Sequence, residues 1–274
     1  LDNYTGVEYP NSSGSAGIST SNGLTINSDN IVTYNKTIDK DHSITATGAF
    51  TYEKYTGKSL SASGSGFLSD AAGSYDLGSA TTINTPSSSY TDWTLLSWLG
   101  RFNYSYKGKY LATVSFRADG SSRYSKGNKW GYFPSGALAW RFSEEGFMKD
   151  LPFISNGKLR IGYGQTGSTA INPYYTLDML SSGKVSFDDA LYTYYAPGTR
   201  LPSDLKWETT SQTDIGLDLG FFNNRLRLTA DYYLKNTRDL LNTVQLPASL
   251  GYTTTVKNIG KIRNKGFEFQ VDAD

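Results

Sequence analysis

Trp98-Leu99-Gly100-Arg101-Phe102-Asn103-Tyr104-Ser105-Tyr106, a Lys107-Gly108-Lys109 turn, and Tyr110-Leu111-Ala112-Thr113-Val114-Ser115-Phe116-Arg117-Ala118-Asp119 read as the two strands of one hairpin. In a strand, successive side chains leave opposite faces. Trp98, Gly100, Phe102, Tyr104 and Tyr106 therefore share one face, against Arg101, Asn103 and Ser105, with Leu99 the exception. Across the turn, Tyr110, Ala112, Val114, Phe116 and Ala118 oppose Thr113, Ser115, Arg117 and Asp119. One face is apolar and aromatic; the other is polar and charged.

The same design recurs along the chain. Ile215, Leu217, Leu219 and Phe221 oppose Glu208, Gln212, Asp214 and Asp218. After a turn at 222–224, Leu226, Leu228, Ala230, Tyr232 and Leu234 oppose Arg225, Arg227, Asp231 and Lys235. Strands are expected at 30–38 and 42–54 around a 39–41 turn, and at 130–142 and 157–166. Between the latter two, Ser143 is expected to cap a short helix with Glu144 and Glu145 in its first turn. A last pair, 256–263 and 266–274, is expected to turn at Asn264-Lys265. The sum is about ten strands in five hairpins. Residues 1–29, rich in Gly, Ser and Asn, read as irregular loop. The longer loops, 55–92, 120–129, 167–206 and 238–255, fall at the end opposite the short turns, and the Tyr-rich 185–195 reads as a hairpin rising beyond the sheet.

Composition agrees with an all-β chain. Tyr leads the aromatics with 21 residues, Gly numbers 28, and charged residues are only 19 %. Lys plus Arg is 26 against 25 for Asp plus Glu, so there is no basic excess to hold nucleic acid. With no cysteine and one histidine, thiolate chemistry, disulfides and a His-pair metal site have no ligands. No catalytic, cofactor or metal site is therefore expected, and the chain does not read as an enzyme. A Ser-His-acid triad would have to use His42, which flanks the 39–41 turn and reads as an ordinary polar turn residue. Gly162-Tyr163-Gly164 alternates within a strand with no helix after it, so it is not a dinucleotide loop.

Two-faced strands suit two settings. In a soluble sandwich, which would make the chain a glycan-binding or adhesion module, the apolar face packs inward. In a membrane barrel it meets lipid while the polar face lines a wet interior. Three features favour the barrel. Short turns at one end and long loops at the other are the outer-membrane arrangement. Aromatics bracket the apolar faces: Tyr104, Tyr106, Tyr110, Phe142, Phe221 and Phe222 near the short turns, Trp98, Trp130, Tyr132 and Trp207 at the far end. The strands also run longer than the about five or six residues usual in soluble sheets.

Particular residues carry a family likeness. Leu99-Gly100-Arg101-Phe102-Asn103-Tyr104, Arg117-Ala118-Asp119-Gly120-Ser121-Ser122-Arg123-Tyr124 and Trp130-Gly131-Tyr132-Phe133-Pro134-Ser135-Gly136 come in order. Ala139-Trp140-Arg141, Leu159-Arg160-Ile161-Gly162-Tyr163-Gly164-Gln165-Thr166-Gly167, Leu205-Lys206-Trp207-Glu208, Asn258-Ile259-Gly260 and Asn264-Lys265-Gly266-Phe267-Glu268 follow. Together, from about residue 95 onward, they resemble the SusC/RagA-type TonB-linked outer-membrane transporters. The resemblance implies an antiparallel transmembrane β-barrel of about 22 strands closed by an N-terminal plug, with long extracellular loops. It implies import of oligosaccharides or peptides across the outer membrane of a Gram-negative bacterium, with a SusD-like surface lipoprotein as lid and energy drawn through TonB. Residues 30–274 would be a middle portion of that barrel, with the plug and the last strands outside this chain.

Candidate contacts with solute or lid lie in the loops. They are Trp93, Asp119, Arg123, Tyr124, Tyr194 and Tyr195, with Tyr90, Tyr174, Tyr175 and Tyr192 as further aromatics. For Asp119 to Arg123 a loop-shaping role is the stronger reading, since Asp and Gly supply turn geometry and Arg123 can pair locally. The polar-face charges Arg101, Arg117, Arg141, Arg160, Arg225, Arg227, Asp214, Asp218 and Asp231 mix both signs and imply no single ion selectivity.

Overall fold

A computed structural model describes residues 14–68, 73–148, 150–151 and 153–273. Its strands are β1 (Gly14–Ile38), β2 (His42–Phe67), β3 (Thr82–Ile83), β4 (Ser87–Tyr106), β5 (Tyr110–Ser121), β6 (Trp130–Trp140), β7 (Ile154–Ser168), β8 (Leu180–Phe187), β9 (Ala190–Pro197), β10 (Arg200–Leu201), β11 (Glu208–Phe221), β12 (Leu226–Arg238), β13 (Leu241–Gln245), β14 (Thr254–Asn258) and β15 (Lys261–Ala273). One large sheet follows the order β1-β2-β4-β5-β6-β7-β11-β12-β15, with β3 beside β2. A three-stranded sheet, β10-β14-β13, and the β8-β9 ribbon stand apart from it. Among the described residues the chain forms two compact units, one of 14–26 with 54–93, the other of 27–53 with 94–273; β1, β2 and β4 contribute to both.

In the first unit, glycines admit an aromatic. The Tyr55 ring lies against Gly57, where a Cβ would sit 2.7 Å from the hydroxyl, and against Gly23. Trp93 stacks on Tyr55 with centroids 5.8 Å apart. Ser59 and Ser89 share a 2.7 Å hydrogen bond.

In the second unit the register makes the two faces explicit. On the polar side, Arg101 stands opposite Ser115, Ser115 opposite Ser135, and Ser135 opposite Gly164. Gly164 faces Gln212, and Gln212 faces Lys235. Three rungs away, the apolar side carries Tyr104, Ala112, Leu138, Ile161, Ile215, Tyr232 and Phe267. Trp98, Phe116, Tyr132, Leu138, Ile161, Phe267 and Phe269 are 49–77 % exposed. A water-soluble fold rarely leaves so continuous an apolar face open. A sandwich would bury it; this sheet presents it outward, as a barrel wall does to lipid.

The tight turns are built where the backbone must be left-handed. Lys107 and Gly108 have φ of 51° and 66°, and Asp39 and Lys40 have 49° and 62°. Positive φ at two successive residues matches the twist of the flanking strands. His42, beside the first of these turns, accepts or donates one bond to the Tyr104 hydroxyl at 2.7 Å and packs on Tyr106. The 141–153 connection is pinned by Glu145, whose carboxylate accepts from Tyr110 Oη at 2.7 Å, Trp140 Nε1 at 3.2 Å and Lys109 Nζ at 3.3 Å. The Tyr110 and Trp140 bonds hold the Glu145 carboxyl below its ordinary range.

Several expectations change. Of the expected 1–29 loop, residues 1–13 lie outside the described residues and 14–29 belong to β1 rather than to a loop. That stretch is almost wholly exposed, so its pairing rests on backbone hydrogen bonds and leaves little apolar alternation to read. In the same way β2 runs on to Phe67 and β4 begins at Ser87, extending a hairpin into 55–92. Asn264-Lys265 is not a turn: β15 runs unbroken, with Asn264 opposite Lys235 and Lys265 opposite Leu234. Gly266 there leaves room for the Tyr233 ring, whose hydroxyl a Cβ would approach to 2.9 Å. The reversal lies earlier, in an excursion through β13 and β14. The large sheet has ten strands, but β1 to β2 are longer than expected, 256–258 belongs to β14, and the two-residue β3 completes the number. The helix after Arg141 is two isolated 3₁₀ turns, Phe142–Glu144 and Gly146–Met148; Ser143 lies inside the first and caps nothing.

A charge on the outward face should be costly where the same charge on the inward face is not. Leu138→Arg should lower the refolding stability of the full-length barrel in lipid vesicles by about 2–4 kcal/mol, and Ala137→Arg, on the other face, by much less.

Candidate functional site

The well-buried side chains of the described residues gather where the loops leave the strands. Tyr124, Phe133, Ile171, Leu205, Trp207 and Val256 form one cluster, with Leu95, Tyr175 and Leu241 packed on it. The cluster draws Phe133 from β6 and Val256 from β14, and Tyr124, Ile171, Leu205 and Trp207 from the segments between strands. Trp207 is its centre: its ring lies 5.0 Å from Tyr124 and 5.6 Å, edge to face, from Phe133. Its Nε1 donates to the Lys129 carbonyl at 3.2 Å, so the buried indole keeps a partner. The Phe133 ring crosses Gly131 and Gly167, where a Cβ would collide with it.

Polar bonds bind the same loops together. The Tyr124 hydroxyl donates to the Ser168 carbonyl at 2.9 Å. Arg123 Nη1 donates to the carbonyls of Thr169 at 3.3 Å and Ile171 at 3.4 Å. The Leu205 amide donates to Ser125 Oγ, and Ser203 Oγ donates to the Val256 carbonyl. Asn258 Nδ2 donates to the carbonyls of Lys206 and Asp239, while its Oδ1 accepts from the Lys206 amide. The Arg200 guanidinium lies 3.6 Å over the Tyr175 ring. Burial raises the Tyr124 phenol strongly and lowers the Arg123 guanidinium from its ordinary value.

The candidate residues divide by this geometry. Tyr124 is 1 % exposed and Asp119 8 %. Asp119 takes Arg117 Nε on both carboxylate oxygens at 2.8 Å, and Arg117 Nη2 reaches Ser97 Oγ at 3.0 Å. Asp119 and Tyr124 are thus buried at the base of the loops, Asp119 by its neighbour Arg117 and Tyr124 by Ser168 across the cluster, while Arg123 is partly buried and tied to the 169–171 segment. Trp207, expected in the outer aromatic bracket, is likewise internal. Tyr194 and Tyr195 remain open, 48 % and 72 % exposed, on the β8-β9 ribbon. Tyr194 covers Gly183, where a Cβ would fall 2.6 Å from its ring. Trp93 is half-buried on Tyr55. Phe133, Ile171, Leu205 and Val256 were not legible as a site; for Ile171 and Leu205 the available signal was an apolar residue isolated in a polar loop.

Below the loop base, the polar wall holds an ion cluster. Arg160 Nε and Nη2 donate to the two Asp218 oxygens at 2.8 and 2.9 Å, and Nη2 also reaches Asp231 at 3.0 Å. Gly216 makes the crossing possible: a Cβ there would stand 2.6 Å from Arg160 Nη2 and closer still to Asp231.

A family model described as TonB dependent receptor-like, beta-barrel, matches residues 1–274. The chain belongs to that family. TonB-dependent receptor P3 of Formosa agariphila is 38 % identical over 251 residues, 90 % of this chain and 24 % of its own length. TonB-dependent receptor SusC of Bacteroides thetaiotaomicron is 41 % identical over 186 residues, 66 % of this chain and 18 % of its own length. The structure of the RagAB peptide transporter superposes with a TM-score of 0.85 at 26 % identity, over 99 % of this chain and 30 % of that one. The chain thus spans about a quarter of the length of the P3 receptor. The polar face is accordingly the barrel's interior face, and the apolar face its outer wall.

Trp207→Ala should cost about 3–5 kcal/mol, and limited proteolysis should then cut within 122–129 and 199–206. The raised phenol of Tyr124 contributes stability that is complete below the free tyrosine value of about 10. That contribution fades as pH climbs toward the raised folded value. Protease sensitivity of these loops should rise above that pH in the native protein, and Tyr124→Phe should remove this pH dependence. Gly216→Ala should displace Arg160 from Asp231 and cost about 1–3 kcal/mol, read as a lower urea midpoint for the refolded barrel.

Proposed function

We propose that this chain forms wall and external loops of an energy-coupled importer of oligosaccharides or peptides in the outer membrane of a Gram-negative bacterium. The observation that carries the reading is the two-faced sheet with an outward apolar wall, an inward polar wall and long loops at one end, in a chain of the TonB-dependent receptor family. The match to SusC and the likeness to RagAB, a peptide transporter, support nutrient import as its purpose. In this reading residues 14–273 are barrel, and the plug and remaining strands belong to the rest of the polypeptide. Solute is captured beneath a SusD-like lipoprotein lid and released inward when the plug rearranges under TonB-transmitted force.

The residues described have positioning roles in that cycle. The buried cluster around Trp207 keeps four loops in one arrangement, so a lid meets a preformed rim. Tyr194 and Tyr195, and Trp93 on its tyrosine support, offer flat apolar rings to the lid or to sugar and peptide groups. The Arg160 cluster gives the interior wall a cross-braced, net acidic band.

The test is extraction of outer membranes in mild detergent, capture through this sequence, and measurement of the intact mass and accompanying chains. The expected result is a polypeptide several times 30.1 kDa with a lipoprotein beside it, whose nutrient uptake stops when the TonB complex is disabled. A species free of membrane, or uptake indifferent to TonB, would overturn the reading.

A further inference from the structure

The interior wall carries a recess of about 450 Å³ just below the loop base. Register explains why it is there. The rung that begins at Arg101 continues through Ser115, Ser135 and Gly164, so three small residues follow one long one. Ser115 and Ser135 are bonded to each other at 2.6 Å, which keeps both hydroxyls low against the wall. Leu95, Leu99, Phe133 and Trp207 close the recess on the loop side. The result is a hollow with a polar floor, an apolar ceiling and arginine at its end.

The charges in this hollow do not cancel. Arg101, Arg117 and Asp119 all line it. Asp119 takes both bonds of its carboxylate from Arg117 Nε, and Arg117 is further held by Ser97. That pair is neutral. Arg160, lower on the wall, is bound by two acids, Asp218 and Asp231, and that group keeps one net negative charge. Arg101 is exposed and, among the described residues, is engaged in no ion pair. A guanidinium with no ion-pair partner among the described residues, beside a hollow of this size, is suited to a planar oxyanion, which it binds through two parallel hydrogen bonds. A volume of several hundred Å³ suits a group of a few residues or sugar rings.

We infer that Arg101 and the small-residue hollow beside it form a subsite for a carboxylate of the transported solute, with Phe133, Trp207 and Leu99 covering the apolar part of the group that bears it. The inference rests on the importer reading and adds a chemical class to it. The carboxylate is that of a peptide C-terminus or of a uronate sugar; both give the same bidentate partner.

Calorimetric binding to the intact, purified transporter with its lid distinguishes them. One probe pair is the peptide Ala-Gly-Leu-Phe as the free acid and as its C-terminal amide. The other is trigalacturonate and neutral maltotriose. In one pair the acid should bind at least about tenfold more tightly than its neutral partner, as expected when a charge-assisted pair is made or lost. Arg101→Gln should bring that ratio close to one, and Arg101→Lys should restore part of it. A preference in the peptide pair identifies a peptide carboxylate, and one in the sugar pair a uronate. Ser115→Asp places a carboxylate directly across from Arg101 and should abolish the preference by occupying it, with the strand pairing kept. Ratios near one in both wild-type pairs would overturn the inference. So would a ratio that survives Arg101→Gln, in an Arg101→Gln protein that folds, or one that survives Ser115→Asp. TonB dependence of uptake is read separately from these binding ratios, so failure here with TonB-dependent uptake intact removes the subsite alone, whereas uptake indifferent to TonB removes the importer reading.

Discussion

Antiparallel backbone pairing is the constraint on which everything else in this protein depends. A strand that lies in hydrocarbon has no water to satisfy its amides and carbonyls, so each must be bonded to a neighbouring strand. The wall from β4 through β7 to β11, β12 and β15 meets that demand rung by rung. Once pairing is obligatory, side chains are released from core-building and sort by face. Burial in the usual sense then has little place in the wall, and it reappears only where the chain leaves the sheet. The Trp207 cluster is that place, and it does for the loops what a hydrophobic core does for a globular domain.

How much of this was legible in the sequence follows from the same physics. Hairpins such as 98–119 and 207–236 were readable because apolar and polar residues alternate over many positions. Residues 14–29 were not, because a strand that rests on backbone bonds with exposed Ser, Thr and Asn side chains carries no such alternation. Asn264-Lys265 misled for the opposite reason: turn-favouring residues can sit in a strand when a glycine beside them accommodates a ring from the neighbour. The loop base shows the limit most clearly. Trp207 and Tyr124 were visible as residues worth noting, but their partners Ile171, Leu205 and Val256 lie far apart in sequence, and only tertiary structure brings them into one cluster.

The interior wall is also a study in how arginine is used. Arg117 and Arg160 are each bound by carboxylates within a rung or two of them, and a glycine at 216 is kept empty so that Arg160 can span two acids. Such forks, held from both sides, tie neighbouring strands together, and the Arg160 group keeps one surplus negative charge. Arg101 differs only in its surroundings, which are hydroxyls and a glycine instead of acids. Whether an arginine on this wall is tied to acids follows from the size and charge of its rung neighbours, not from its own identity.

The separation of the loop base from what rises above it has a consequence for how such a protein diversifies. The β8-β9 ribbon forms a sheet of its own and is turned by two aspartates, Asp188 and Asp189, both with positive φ. Its strands need nothing from the wall to complete their pairing. The cluster beneath it closes the ends of the wall strands without using any ribbon residue. The ribbon is therefore a replaceable fitting: its length, rings and tip can be exchanged while the wall strands keep the same register, so that the outer surface of the chain can diverge and leave the membrane-spanning architecture untouched.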